Sequence, residues 1–187
     1  MGVEGGLMTQ ITVSKLVIEK MAHRHIDSIR AIDRVCYSSP WSASTWRNEL
    51  SESTRHHIVG RINDTIVGHA GLLFVLEEVH VTTVAVQPDH QGVGIATRLV
   101  SELLDVAVGA GSEAATLEVR ASARRTQGLY ARFGFQPAGV RRRYYTDPVD
   151  DAVVMWLHEL QSDELGLRLA TVRAEIASPP STGGIQS

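Results

Sequence analysis

The stretch from Val84 to Leu104 constrains the fold most, because its hydrophobic period changes within a few residues. Val79 to Val86 is a run of branched residues that reads as a strand, closed by Gln87-Pro88-Asp89. From Gly94 to Val108 the spacing is helical. Ile95, Leu99, Leu103 and Ala107 form one row, and Ala96, Val100 and Leu104 form its neighbour. A strand must therefore turn into a helix across Gln91-Gly92-Val93-Gly94. Helix N-terminal N–H groups point outward and carry partial positive charge, so glycines there let an anion approach. A tight turn with no ligand is the simpler reading of the glycines alone. A P-loop is set aside, because Ile95-Ala96 stand where it needs Lys and then Ser or Thr. The dinucleotide fingerprint also fails, because Thr97 occupies its third small position.

The rest of the chain supplies the partners of this unit. Thr12 to Met21 alternates as a first strand. Ala22 to Cys36 carries Ile26, Ile29, Ile32 and Val35 at helical spacing, and Ser39-Pro40 ends it. Ser42 or Ser44 can cap a short helix through Trp46 to Leu50. His57 to Ile62 and Thr65 to Val75 are strands around an Asn63-Asp64 turn. Thr116 to Arg120 is another strand. Ser122 can cap a helix bearing Thr126, Leu129, Tyr130 and Phe133, which Gly134 and Pro137 stop. Val153 to Leu160 is a last strand, and Leu165, Leu169, Val172 and Ile176 predict a helix over 163–177. Residues 1–11 read as a flexible lead-in, 12–160 as one domain, and 161–187 as an extension. Its Ser178-Pro179-Pro180 to Gly184 stretch has a disordered composition. The pattern is that of a mixed α/β sheet with helices on its faces.

Bulk properties narrow the function. The 187 residues suffice for one sizeable core, and a net charge of −3 argues against a general polyanion binder. The single cysteine, Cys36, allows no internal disulfide, which fits a reducing compartment, and it reads as a core residue. No apolar run is long enough to span a bilayer and no signal-peptide pattern is present, so cytoplasmic residence is the expectation. His56-His57 is no metal pair, since adjacent strand residues face opposite ways, and no metal site is expected.

Val84-Ala85-Val86-x-Pro88-x-x-Gln91-x-x-Gly94-x-Ala96 resembles the acetyl-CoA signature of the GNAT acetyltransferases, and the element order resembles theirs. Further stretches resemble the RimI subfamily, the ribosomal-protein alanine N-acetyltransferases. They are Pro40-Trp41-Ser42 with Trp46 and Glu49-Leu50, Leu117-Glu118-Val119-Arg120-Ala121-Ser122, Leu129-Tyr130 with Phe133-Gly134-Phe135, and Arg141-Arg142-Arg143-Tyr144-Tyr145. The resemblance spans roughly residues 12–158.

It implies a GNAT fold, with a mixed, mostly antiparallel sheet of about six to seven strands flanked by helices. It implies acetyl-CoA as co-substrate, with Val84, Ala85 and Val86 along the acetyl and pantetheine part. Gln91, Gly92, Val93, Gly94, Ile95, Ala96 and Thr97 would then surround the pyrophosphate. It implies Glu118 as general base and Tyr130 as general acid. The substrate implied is the N-terminal alanine of a small-subunit ribosomal protein. RimI-like proteins are sometimes associated with the tRNA threonylcarbamoylation protein TsaD, which makes TsaD a candidate partner. The rivals are a GNAT enzyme for small-molecule amines and a non-catalytic CoA-binding module. One departure stands out: the subfamily carries Asn where this chain has Ala123, followed by Arg124-Arg125. Either arginine could meet a phosphate in its place, and solvated arginines are the plainer alternative.

The chemistry of these residue types is independent of the resemblance. An ammonium must lose a proton before it attacks a thioester, and a carboxylate can take it. A departing thiolate needs a hydrogen bond, which a tyrosine hydroxyl can donate. Backbone N–H groups near Val86 could serve the oxyanion if the strand bulges there, as the resemblance implies. Glu118 alternates with Leu117 and Val119, so it is equally readable as a solvated residue or an arginine partner. Tyr130 is equally readable as core. Glu78 and His80 compete for the base role, since they lie on the strand that meets the acetyl group. Trp41, Tyr144 and Tyr145, with Glu78, are candidates to border a peptide groove. Arg141-Arg142-Arg143 reads first as a solvated face, and nucleic-acid binding is not expected.

Overall fold

Among residues 15–177, which the computed structural model describes, seven strands form one sheet. They are β1 (Leu16–Lys20), β2 (Arg55–Ile62), β3 (Thr65–Val75), β4 (Glu78–Val86), β5 (Ala114–Arg120), β6 (Gln136–Thr146) and β7 (Val149–Leu157). The helices are α1 (Ile26–Cys36), α2 (Ala43–Ser51), α3 (Ile95–Gly109), α4 (Arg124–Arg132) and α5 (Asp163–Ala177). The lead-in, the start of the expected first strand and the stretch from Ser178 onward lie outside the described residues.

Local chemistry accounts for most boundaries. Asn63 takes a left-handed conformation (φ 53°) in the β2–β3 turn, which suits its short polar side chain. Ser42, not Ser44, caps α2, its Oγ accepting the Thr45 N–H at 3.0 Å. Two expectations are corrected. Ser122 does not cap α4. Its hydroxyl donates to Asp150 Oδ2 at 2.6 Å, and α4 starts from Ala123 without a side-chain cap. Val35 is 61% exposed, while Asp33 on the same helix is buried. The apolar spacing of α1 therefore ends at Ile32.

The sheet order is β1-β2-β3-β4-β5-β7-β6, and every neighbouring pair is antiparallel except β4 and β5. That parallel pair is short. Glu78, Val79 and His80 pair with Ala114, Ala115 and Thr116, and from Val81 onward β4 leaves β5. The sheet forks there, with the open end at the carboxyl ends of both strands. Ligands of α/β sheets bind at such openings, because the helices that follow the strands begin there. Here α3 follows β4 and α4 follows β5.

Hydrophobic burial holds the fork in place. Ile95, Leu99, Leu103, Leu104 and Ala107 of α3 pack on the sheet with Leu72, Val79, Val86, Leu117 and Val119. Each buried leucine or isoleucine is worth about 1.5–3 kcal/mol against exposure. Tyr130 and Phe133 of α4 and Leu165, Leu169 and Val172 of α5 join the same core. A second, smaller cluster gathers Met21, Ile26, Ile29, Trp46 and Val59, with Trp41 and Leu50 packed against it.

Candidate functional site

On β4 the backbone itself becomes functional surface. The Val86 carbonyl accepts the Gln91 Nε2–H at 2.8 Å and the Cys36 thiol at 3.4 Å, and the Val84 carbonyl accepts the Tyr37 hydroxyl at 3.1 Å. These side-chain partners come from outside the β3 ladder. A strand residue points its N–H the same way as its carbonyl, so Val84 and Val86 turn their amides toward the open side of the fork. The bulge expected near Val86 lies lower, at Thr82, where Leu72 pairs with Val81 and Gly71 with Thr83. Gln91 thus has a structural partner within its own loop. Cys36 is half-buried, and burial pushes its thiol pKa up.

The loop from Gln91 to Gly94 is shaped for an anion. Gly92 (φ 81°) and Gly94 (φ 95°) occupy the left-handed region that favours glycine. Gly94 is the N-cap of α3, with no side-chain cap and no acidic residue in the first turn. The first N–H groups of α3 therefore have no protein acceptor. Ile95 and Thr97 are buried and Val93 and Ala96 pack partly buried against the core, so little side-chain bulk stands over the backbone of the turn at Gly92 and Gly94. A β-carbon on Gly92 would stand 3.1 Å from Arg125 Nη2. These residues fit a phosphate group.

Where β4 and β5 still pair, three strands bring charged side chains together. Leu117 and Val119 face the α3 core, so Glu118 faces the other side of the sheet, and His80 does the same between Val79 and Val81. Glu118 Oε2 lies 2.9 Å from His80 Nε2, and Oε1 lies 3.2 Å from Arg141 Nη2, reached across β7 from β6. The Glu118 side chain is 9% exposed, whereas that of Arg141 is 58% exposed. The Tyr145 hydroxyl approaches the Glu118 carbonyl at 3.4 Å, under an Arg120 guanidinium 4.1 Å from its ring.

Tyr130 is 6% exposed and packs edge-on against Phe135. Burial, reinforced by the nearby Tyr37 and Tyr145 hydroxyls, raises its pKa well above the ordinary phenol value. The hydroxyl therefore keeps its proton throughout the physiological range and is available as a hydrogen-bond donor. Tyr37 completes a tyrosine group at the fork, its hydroxyl 2.8 Å from Thr83 Oγ1.

Other candidates lie apart. Glu78 stands exposed at the closed start of β4, without an ion pair among the described residues. Trp41 packs on Trp46 (centroids 4.8 Å apart) in the α1–α2 cluster. Tyr144 is exposed, edge-on to Tyr145 and 5.7 Å from Arg141. The arginine run is not a plain solvated face. β6 bulges between Arg141 and Tyr145, Arg142 pairs with Asp151 at 3.4 Å, and the Arg143 N–H donates to Asp151 at 2.8 Å. Sequence reasoning passed over Tyr37, whose only signal is its place between the end of a helix and Pro40. It also missed the buried Asp33, which accepts from Trp46 Nε1–H and pairs with His69 Nε2, both at 2.8 Å.

A sheet forked between two parallel strands, with a glycine turn at the mouth, is the frame of an acyl-CoA-dependent acetyltransferase. Residues 26–135 match the model of the Acetyltransferase (GNAT) family, and the chain belongs to that family. Among its relatives is the N-alpha-acetyltransferase RimI of Mycobacterium tuberculosis, 38% identical over 120 residues, covering 62% of this chain and 74% of that protein. The ribosomal protein bS18-alanine N-acetyltransferase of Escherichia coli is 33% identical over 128 residues, 67% of this chain and 86% of that one. The crystal structure of the ribosomal-protein-S18-alanine N-acetyltransferase from Escherichia coli superposes with a TM-score of 0.72 at 29% identity, over 77% of this chain and 94% of that one. No helix among the described residues is long and apolar enough to cross a membrane.

Proposed function

We propose that this protein transfers the acetyl group of acetyl-CoA to the α-amine of a protein N-terminus, and that its substrate is the N-terminal alanine of a small-subunit ribosomal protein. The observation that carries this reading is the placement of Glu118 beside the β4–β5 fork, held by His80 at 2.9 Å and Arg141 at 3.2 Å. The substrate assignment is supported by the Escherichia coli ribosomal protein bS18-alanine N-acetyltransferase, which aligns over 86% of its own length.

Acetyl-CoA supplies an activated thioester carbonyl. In this reading the backbone from Gly92 to Thr97 binds its pyrophosphate, and the fork-facing amides of Val84 and Val86 bind the pantetheine and the thioester oxygen. Glu118 takes a proton from the substrate ammonium, directly or through water, and leaves a neutral amine to attack the thioester carbonyl. The nitrogen–carbon bond forms and the carbon–sulfur bond breaks, and the second proton shed by the acylated nitrogen ends on the departing sulfur, so that CoA leaves as its thiol. The Tyr130 hydroxyl donates its hydrogen bond to the departing sulfur. Tyr144 and Tyr145 border the substrate, while Trp41 packs on Trp46 in the α1–α2 cluster. The His80 contact favours a second assignment of the base, in which His80 accepts the proton and Glu118 orients its ring.

The test is an acetylation assay across N-terminal peptides, with mass spectrometry to locate the modified nitrogen. Acetylation of an alanine α-amine is the expected result. Turnover confined to polyamines or other small amines would overturn the substrate class, and CoA binding without turnover would overturn the enzymatic reading. Glu118→Gln and His80→Gln then separate the bases, because loss of the base lowers kcat far more than loss of the residue that orients it.

A further inference from the structure

The helices that begin at the fork share an electrostatic peculiarity. Neither α3 nor α4 has a capping side chain, and neither has an acidic residue in its first turn. Instead α4 opens with two cations, Arg124 and Arg125. A cation at a helix N-terminus is mildly opposed by the dipole, so an anion arriving between two uncapped helix starts is favoured there. The two arginines behave differently. Arg124 Nη1 donates to Gln127 Oε1 at 3.4 Å, along its own helix. Arg125 makes no ion pair among the described residues and reaches across to the glycine loop, its Nη2 3.1 Å from where a β-carbon of Gly92 would stand. Gly92 thus serves both the turn and the guanidinium.

We propose that Arg125 is a cofactor-binding residue that grips the pyrophosphate of acetyl-CoA from the side facing the glycine loop. The inference rests on the acetyl-CoA reading above. A guanidinium fork suits the task, because it offers two parallel N–H donors to phosphate oxygens while the α3 backbone donates from the other side. The negative charge of the pyrophosphate also offsets the unfavourable placement of the cation.

The test is equilibrium binding by calorimetry, with CoA, with dephospho-CoA, which keeps the pyrophosphate but lacks the 3′-phosphate, and with pantetheine, which lacks both. In R125Q, affinity for CoA and for dephospho-CoA should fall equally, by about tenfold or more, as for loss of a charge-assisted hydrogen bond. Pantetheine binding should not change, R124Q should stay within about twofold of wild type, and R125K should recover only part of the loss. R125Q binding CoA as wild type does would overturn the proposal. A loss for CoA but not for dephospho-CoA would place the guanidinium on the 3′-phosphate and overturn the pyrophosphate assignment. Wild-type protein that does not bind CoA at all would overturn the acetyl-CoA reading, and this one with it.

Discussion

Glu118 engages His80 and Arg141 through different carboxylate oxygens, so its orientation is fixed before any substrate arrives. Losing a positioned base costs about a hundredfold or more in rate. Glu118→Gln should lower kcat/KM by that order in steady-state assays while leaving CoA affinity unchanged; full activity would remove Glu118 from the chemistry. Tyr130→Phe should lower kcat with little change in KM, since its hydroxyl acts on the departing sulfur and its ring remains packed. Glycine plays a second, hidden role on β3. A β-carbon at Gly71 would stand 2.2 Å from the Nδ1 of His57. Gly71→Ala should therefore destabilise the fold by about 1–3 kcal/mol in chemical denaturation, as overpacking does.

The elements α1, α2, β2 and β3 are joined by polar contacts as well as by apolar packing. Asp33 of α1 takes both the Trp46 indole N–H of α2 and the ring of His69 on β3, and His69 is fully buried. Trp46 stands edge-on to His57 and His69, each 5.3 Å away. Removing the shared acceptor strands two buried donors, so Asp33→Ala should cost about 3–5 kcal/mol in a denaturant titration, as loss of one partner of a buried pair does. Beyond the other end of β4, Gly94→Asp puts a β-carbon on a left-handed residue and a carboxylate into the anion site. Loss of acetyl-CoA binding in calorimetry is the expected outcome, and unchanged affinity would rule out the loop as the pyrophosphate seat.

At the scale of the molecule, the buried histidine beneath α2 sets an acid limit. Burial is the main influence on His57 and lowers its pKa, against the opposing pull of Glu49, while His69 and Arg55 also oppose protonation. The folded ring thus resists a proton that the unfolded chain accepts below about pH 6.5. Its contribution to stability is complete above that pH and is lost as pH falls from there toward the folded value. His25 and His56 are lowered by burial as well and add in the same direction. Urea midpoints measured from pH 7.5 to 5.5 should fall, and less steeply in His57→Gln; an unchanged slope would point to other groups. The strand-to-helix change at Gln91–Gly94, the turn at Asn63 and the acetyltransferase signature are legible in the chain alone, whereas the choice of Ser42 over Ser44 as the α2 cap is made by the fold. The first three depend on residues a few positions apart, which is the range over which dihedral preferences and hydrophobic periods act. No local pattern foretells that Glu118 meets His80 and Arg141, that Tyr37 reaches the Val84 carbonyl, that Asp33 is buried against His69, or that Arg125 rather than Arg124 approaches Gly92. Those meetings follow from strand order, the Thr82 and β6 bulges and the three-rung β4–β5 pairing, which are set by contacts between distant parts of the chain.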